Sequence, residues 1–149
     1  MTATVIKPTP NVFLGAGATE HIRRLPQVAV GPTIDTTQAM STAGVVVDLF
    51  QVYPGITILN LQMIQATLWS GTGNDFTAGD SDDADRFHDT TSWLSTNAGI
   101  ANQYLNVGHK YASSDPVMIQ ATLTISFGTA LASGKTVPVL WFTVDLVSS

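Results

Sequence analysis

Met63-Ile64-Gln65-Ala66-Thr67-Leu68 recurs letter for letter as Met118-Ile119-Gln120-Ala121-Thr122-Leu123. Each copy alternates apolar and polar residues, the pattern of a strand with one buried face. Around the second copy the alternation runs long. Val117, Ile119, Ala121, Leu123, Ile125 and Phe127 share one face, and Met118, Gln120, Thr122, Thr124 and Ser126 share the other. The first copy offers Ile64, Ala66 and Leu68 at the matching positions, so the two strands are expected to turn equivalent faces to one core. Beyond the hexapeptides the two stretches diverge, so the chain is not a repeat protein.

Outward from these copies, the sequence reads as strands joined by turns. Residues 45–52, Val-Val-Val-Asp-Leu-Phe-Gln-Val, are apolar on both faces except at Asp48 and Gln51, as in a central strand. Tyr53-Pro54-Gly55 is a turn: Pro presets φ and Gly admits positive φ. The next stretch shifts its apolar phase, from Leu59, Leu61 and Met63 to Ile64, Ala66 and Leu68, which predicts a β-bulge or two strands in succession. Residues 117–127 and 137–147 are expected to pair as an antiparallel hairpin, with Leu140, Phe142, Val144 and Leu146 inward and Trp141 outward. Residues 70–89 read as a loop rich in Gly and Asp, and a short helix is expected near 98–105.

The expected fold class is all-β: an antiparallel β-sandwich, a jelly roll being one candidate arrangement, with an extended N-terminal arm. The chain divides into an arm over 1–42 and a sandwich over 43–149 with a loop-rich insertion at about 70–116. Pro8, Pro10, Pro26 and Pro32 punctuate the arm, and each removes a ladder donor. The core strands are accordingly expected to begin after Thr42, and deletion of residues 1–40 to leave the sandwich folded. Val12, Phe13 and Leu14 are the arm's apolar anchors for a partner, and Arg23 with Arg24 its charged ones.

Composition narrows the function classes. Of 149 residues, 11% are charged against a usual value near 25%, and the net charge is −5. An acidic chain lacks the basic footprint of nucleic-acid binding. It has no cysteine for disulfides or thiolate metal sites, and no apolar run long enough to span a membrane. The first ten residues lack the apolar stretch of a signal peptide, so synthesis in the host cytoplasm is expected.

Chemical motifs are sparse. Asp80-Ser81-Asp82-Asp83-Ala84-Asp85 could supply oxygen ligands to Ca²⁺, but the Gly and Glu of an EF-hand are missing, and a solvated loop without metal is expected. Gly15-Ala16-Gly17 lacks the third glycine and the βαβ unit of a dinucleotide site. His21, His88 and His109 show no zinc spacing, and no Gly-x-Ser-x-Gly elbow occurs. No catalytic residue, cofactor or metal is assigned, and the chain is expected not to be an enzyme. Trp69, Trp93 and Trp141 could stack on sugars, although core or interface anchoring is more usual for Trp.

A cysteine-free, Thr-rich, charge-poor chain with a Pro-punctuated arm before a β domain resembles bacteriophage virion structural proteins, in particular capsid decoration or cement proteins. The resemblance is one of overall style and carries no family residues onto this chain. It implies a small β protein, often trimeric, that sits at subunit junctions of the virion shell and binds the major capsid protein or another virion protein. A phage tail or neck component and a carbohydrate-binding β-sandwich are the alternatives.

Overall fold

The computed structural model describes residues 3–6, 26–35, 45–67, 75–92, 99–101, 108–112, 115–124 and 134–144. Eleven strands are found among them, and no helix: β1 Thr4–Ile6, β2 Gln27–Val30, β3 Ile34–Asp35, β4 Val45–Val52, β5 Ile56–Thr67, β6 Asp75–Gly79, β7 His88–Ser92, β8 Gly99–Ala101, β9 His109–Tyr111, β10 Val117–Thr124 and β11 Lys135–Val144. They form two sheets. The front sheet runs β1-β4-β10-β6-β7, and the back sheet runs β2-β11-β5-β8, with β3 also on β11 and β9 also on β5. All pairings are antiparallel except β1 with β4. The expected all-β sandwich is the observed fold.

The inner faces supply the core. The front sheet contributes Ile6, Val47, Leu49, Phe50, Val52, Phe76, Ala78, Ile119, Ala121 and Leu123. Ile34, Ile56, Ile58, Leu61, Met63, Tyr111, Leu140, Phe142 and Val144 come from the back sheet. Burial of apolar surface at about 25 cal/mol per Å² is what drives the two layers together.

The two identical hexapeptides lie in different sheets and bury opposite faces. In β10, Ile119, Ala121 and Leu123 are fully buried, as expected. In β5 the inward residues are Met63 and Gln65, whereas Ile64 is half-buried and Ala66 exposed. Leu68 lies outside the described residues. The physical reason is the bulge. Trp141 pairs with Asn60 and Phe142 with Ile58, so Leu59 is one residue too many for β11. Ile56 and Ile58 point inward before the bulge, and Leu61, Met63 and Gln65 after it. The expected phase change is real but sits at Leu59, and it throws Ile64 and Ala66 outward. A second bulge, at Leu49, buries Leu49 and Phe50 in succession and explains why β4 reads as apolar on both faces.

Other expectations are corrected. β10 and β11 do not form a hairpin; β10 pairs β4 and β6 in the front sheet, and β11 pairs β5 in the back one. Leu140, Phe142 and Val144 are nevertheless buried and Trp141 exposed, because one-sided burial needs only alternation. Residues 99–101 form β8 rather than a helix, and the segment 70–116 contributes β6, β7, β8 and β9. Core strands also precede Thr42: β1, β2 and β3 are built into the sheets, and Ile6 and Ile34 are buried. Deleting the first forty residues removes those strands and both side chains. The turn at Gly55 is as expected: its φ is 95°, and it donates its N–H to Tyr111 O at 2.9 Å. Pro138 sits in β11 where β3 has ended and β2 has not begun, and its carbonyl accepts from Gly31 N at 2.8 Å.

Opposite phases give a direct test. Ile119→Ala empties a fully buried site and is expected to cost about 2–5 kcal/mol. Ile64→Ala, at the same place in the other copy, is expected to cost less than half as much. Urea unfolding of both variants checks the pair, and equal losses would refute the register.

Candidate functional site

The β6–β7 connection holds the densest polar cluster among the described residues. Gly79 ends β6, and a Cβ there would strike the Asp83 carbonyl oxygen, so only glycine lets the chain fold back. Asp80 N then donates to Asp83 O at 2.9 Å, and Phe87 N to Ala78 O at 2.8 Å. The Asp80 side chain completes an Asx turn: Oδ1 accepts from the amides of Asp82 and Asp83, each at 3.1 Å.

Two side-chain donors, one local and one distant in sequence, converge on the same carboxylate. Arg86 Nε donates to Oδ2 at 2.8 Å and Arg86 Nη2 to Oδ1 at 3.3 Å, a forked contact. Tyr111 Oη, from β9 of the back sheet, donates to Oδ2 at 2.7 Å. Burial alone would push the Asp80 carboxyl up, but Arg86 and Tyr111 outweigh it and hold the carboxyl below the usual range. Burial, then the Asp80 hydrogen bond and charge, push the Tyr111 phenol far up. His109 stands beside this pair. Arg86 Nη1 lies 3.4 Å from His109 Nδ1, and since arginine can only donate, Nδ1 accepts and the ring is neutral. Burial first, then the adjacent guanidinium, depress its pKa.

His88 is a second link between the sheets. It is fully buried on β7, and its Nε2 donates to Leu61 O of β5 at 2.7 Å. On that edge β5 pairs β9 through Ile58 and β8 from Met63 onward, so the imidazole meets the strand in the gap between them. Its ring packs on Phe76 at a centroid distance of 5.1 Å. Desolvation lowers its pKa, with the Leu61 bond opposing.

This arrangement suits structure more than chemistry. Asp80, the first carboxylate of the candidate Ca²⁺ loop, is saturated by protein donors, and among the described residues no three His, Asp or Glu side chains gather as a metal site. Asp82 and Asp85 are exposed. A hydrogen bond with Asp83 raises the Asp85 pKa, the expected result of crowding two carboxylates. His88 and His109, which carry no metal-ligand spacing in the sequence, are buried and half-buried parts of the cross-sheet network. The partner-binding candidates Val12, Phe13, Leu14, Arg23 and Arg24 lie outside the described residues, as do His21, Trp69 and Trp93. Trp141 is exposed on the back sheet, its Nε1 donating to Gln62 Oε1 at 2.8 Å.

Comparison with known proteins places the fold. No family model matches the chain, and no curated protein matches its sequence. Among solved structures, it is similar to a chain of the cyanophage Pam1 capsid asymmetric unit, with a TM-score of 0.62 and 11% identity. The likeness covers 80% of this chain and 84% of that one. A chain from a phage capsid thus has the same fold.

The network makes two predictions. Asp80→Ala strands the half-buried Arg86 and is expected to cost about 3–5 kcal/mol, and Tyr111→Phe about 1.5–3 kcal/mol, by urea unfolding. The second concerns pH. His88 and His109 have folded pKa values below the ordinary 6.5, so their contribution is complete above that value and is lost as pH falls toward the folded pKa. Asp80 adds a further loss below its ordinary 3.8. The urea midpoint is expected to fall between pH 7 and pH 5, and His88→Gln, which keeps a donor but cannot titrate, to flatten that fall.

Proposed function

We propose that this protein is a non-enzymatic structural component of a phage virion, bound to the capsid at subunit junctions in the manner of a decoration or cement protein. The observation that carries the reading is the shared fold with a phage capsid chain over four-fifths of this chain. Composition supports it. With only 11% charged residues, the chain has few groups of the kind that cost most to desolvate, which suits a protein packed among many neighbours. The polar cluster supports it too, because its buried carboxylate is spent on holding the two sheets together rather than left available to a substrate. The expected partner is the major capsid protein or another virion protein, and the expected location is the virion. A tail or neck position would use the same physics. A carbohydrate-binding role draws on one observation, the exposed Trp141 with Gln62 beside it, and glycan-array binding separates it from the structural reading.

The proposal is tested by adding the purified protein to particles that lack it and sedimenting the mixture. The full chain is expected to pellet with particles at saturable stoichiometry and to raise their resistance to heat. Absence of co-sedimentation with particles of the encoding phage would refute a capsid role.

A further inference from the structure

The short strand β9 is held at its two ends by different side chains. His109 and Tyr111 face the β6–β7 connection of the front sheet, and Lys110 is exposed between them. Among the described residues β9 pairs with β5 alone, through Ile56, Thr57 and Ile58. At one end the Gly108 N–H donates to Ile58 O at 2.7 Å, and at the other Tyr111 O accepts from Gly55 N at 2.9 Å. Tyr111 is buried, and its hydroxyl donates to Asp80 at 2.7 Å. His109 is only half-buried, and its contact with Arg86 is longer, at 3.4 Å.

We propose that His109 is an acid-released latch: when its ring takes up a proton, the Gly108–His109 end of β9 separates from β5, while Tyr111 stays on Asp80 as the hinge. Arginine has only donors, so Arg86 Nη1 reaches a bare ring nitrogen. A proton on Nδ1 turns that contact into donor against donor and sets an imidazolium beside a guanidinium. The other groups around the ring do not reverse this. Ile58, its partner on β5, and Phe87, edge-on at 6.2 Å, are apolar. Asp80 and Asp83 attract the imidazolium, but Asp80 is already taken by Arg86, Tyr111 and two backbone amides. Asp83 Oδ2 lies 4.0 Å from the same Nη1 and is partly in solvent. Burial first, then Arg86, keep the His109 pKa below the ordinary 6.5 against the pull of both carboxylates. The latch is therefore complete above that value and is lost as pH falls toward the folded pKa. The hinge outlasts it, because the Asp80 carboxyl is held below its ordinary 3.8 and stays charged through this range. Release is local: it frees the Ile58 carbonyl on the β5 edge and leaves the two sheets stacked.

Amide hydrogen exchange of the full chain by NMR tests it between about pH 7.5 and pH 5, with the His109 ring titrated in the same samples. Corrected for intrinsic rates, the protection of the Gly108 amide is expected to fall about tenfold, with the midpoint of the His109 titration. At the acid end low urea is expected to leave Gly108 exchange unchanged, since a local opening exposes little surface. The Gly55 amide, on the hinge side, is expected to stay at least about tenfold better protected than Gly108. His109→Gln, whose side-chain oxygen can accept from Arg86 but cannot titrate, is expected to abolish the step, and His88→Gln to leave it in place. Circular dichroism shows whether each variant folds, and the coincidence of the two midpoints in the unaltered chain stands without them. Gly108 protection that is absent throughout or does not change with pH overturns the proposal. So does Gly108 exchange that urea accelerates, or that Gly55 matches. A step that persists in folded His109→Gln, or disappears in folded His88→Gln, overturns it as well.

Discussion

The structure turns on a buried carboxylate that has to be satisfied from both sheets at once. Asp80 sits at the end of β6 in the front sheet, and the hydroxyl that completes its hydrogen bonding comes from Tyr111 of β9 in the back sheet. Burying such a charge without partners would cost several kcal/mol, so the layers can only close where Tyr111 and Arg86 reach it. His88 applies the same constraint a few residues later, through the Leu61 carbonyl. Apolar burial pulls the layers together but is non-directional, and these polar links fix which residue faces which. Elsewhere, β1 joins the front sheet to the back one, where Thr4 Oγ1 donates to Val30 O at 2.9 Å.

How much of this was legible in the sequence depends on the physics of each signal. Alternation is local, so it identified β10 and the inward face of β11 without knowing their partners. It could not say which sheet each strand joins, and the hairpin expectation failed for that reason. The hexapeptides mark the limit most sharply. The same six residues bury Ile and Ala in one strand and Met and Gln in the other, because a bulge at Leu59 resets the phase before the copy in β5 begins. Short strands of three to five residues, such as β6 to β9, carry too few alternations to stand out from an Asp- and Gly-rich stretch.

The polar network was legible only in part. Arg86 directly follows the Asp-rich stretch, so a guanidinium stands near the carboxylates in sequence as well as in space. No sequence rule connects Asp80 to Tyr111 or His88 to Leu61, since those contacts span 31 and 27 residues and exist only once the sheets stack. The arm anchors Val12, Phe13, Leu14, Arg23 and Arg24 stay as sequence expectations, whereas β1 to β3 show that the first 42 residues also supply core.

Whether this sandwich is a structural part of a virion shell, as proposed, can be decided by a cryo-electron microscopy map of intact particles of a phage that carries its gene. Density for both sheets is expected at symmetry-related positions on the capsid, in contact with the major capsid protein. A shell map fully explained by other chains, with this protein absent from the particle or confined to a non-capsid location, would contradict the proposed role.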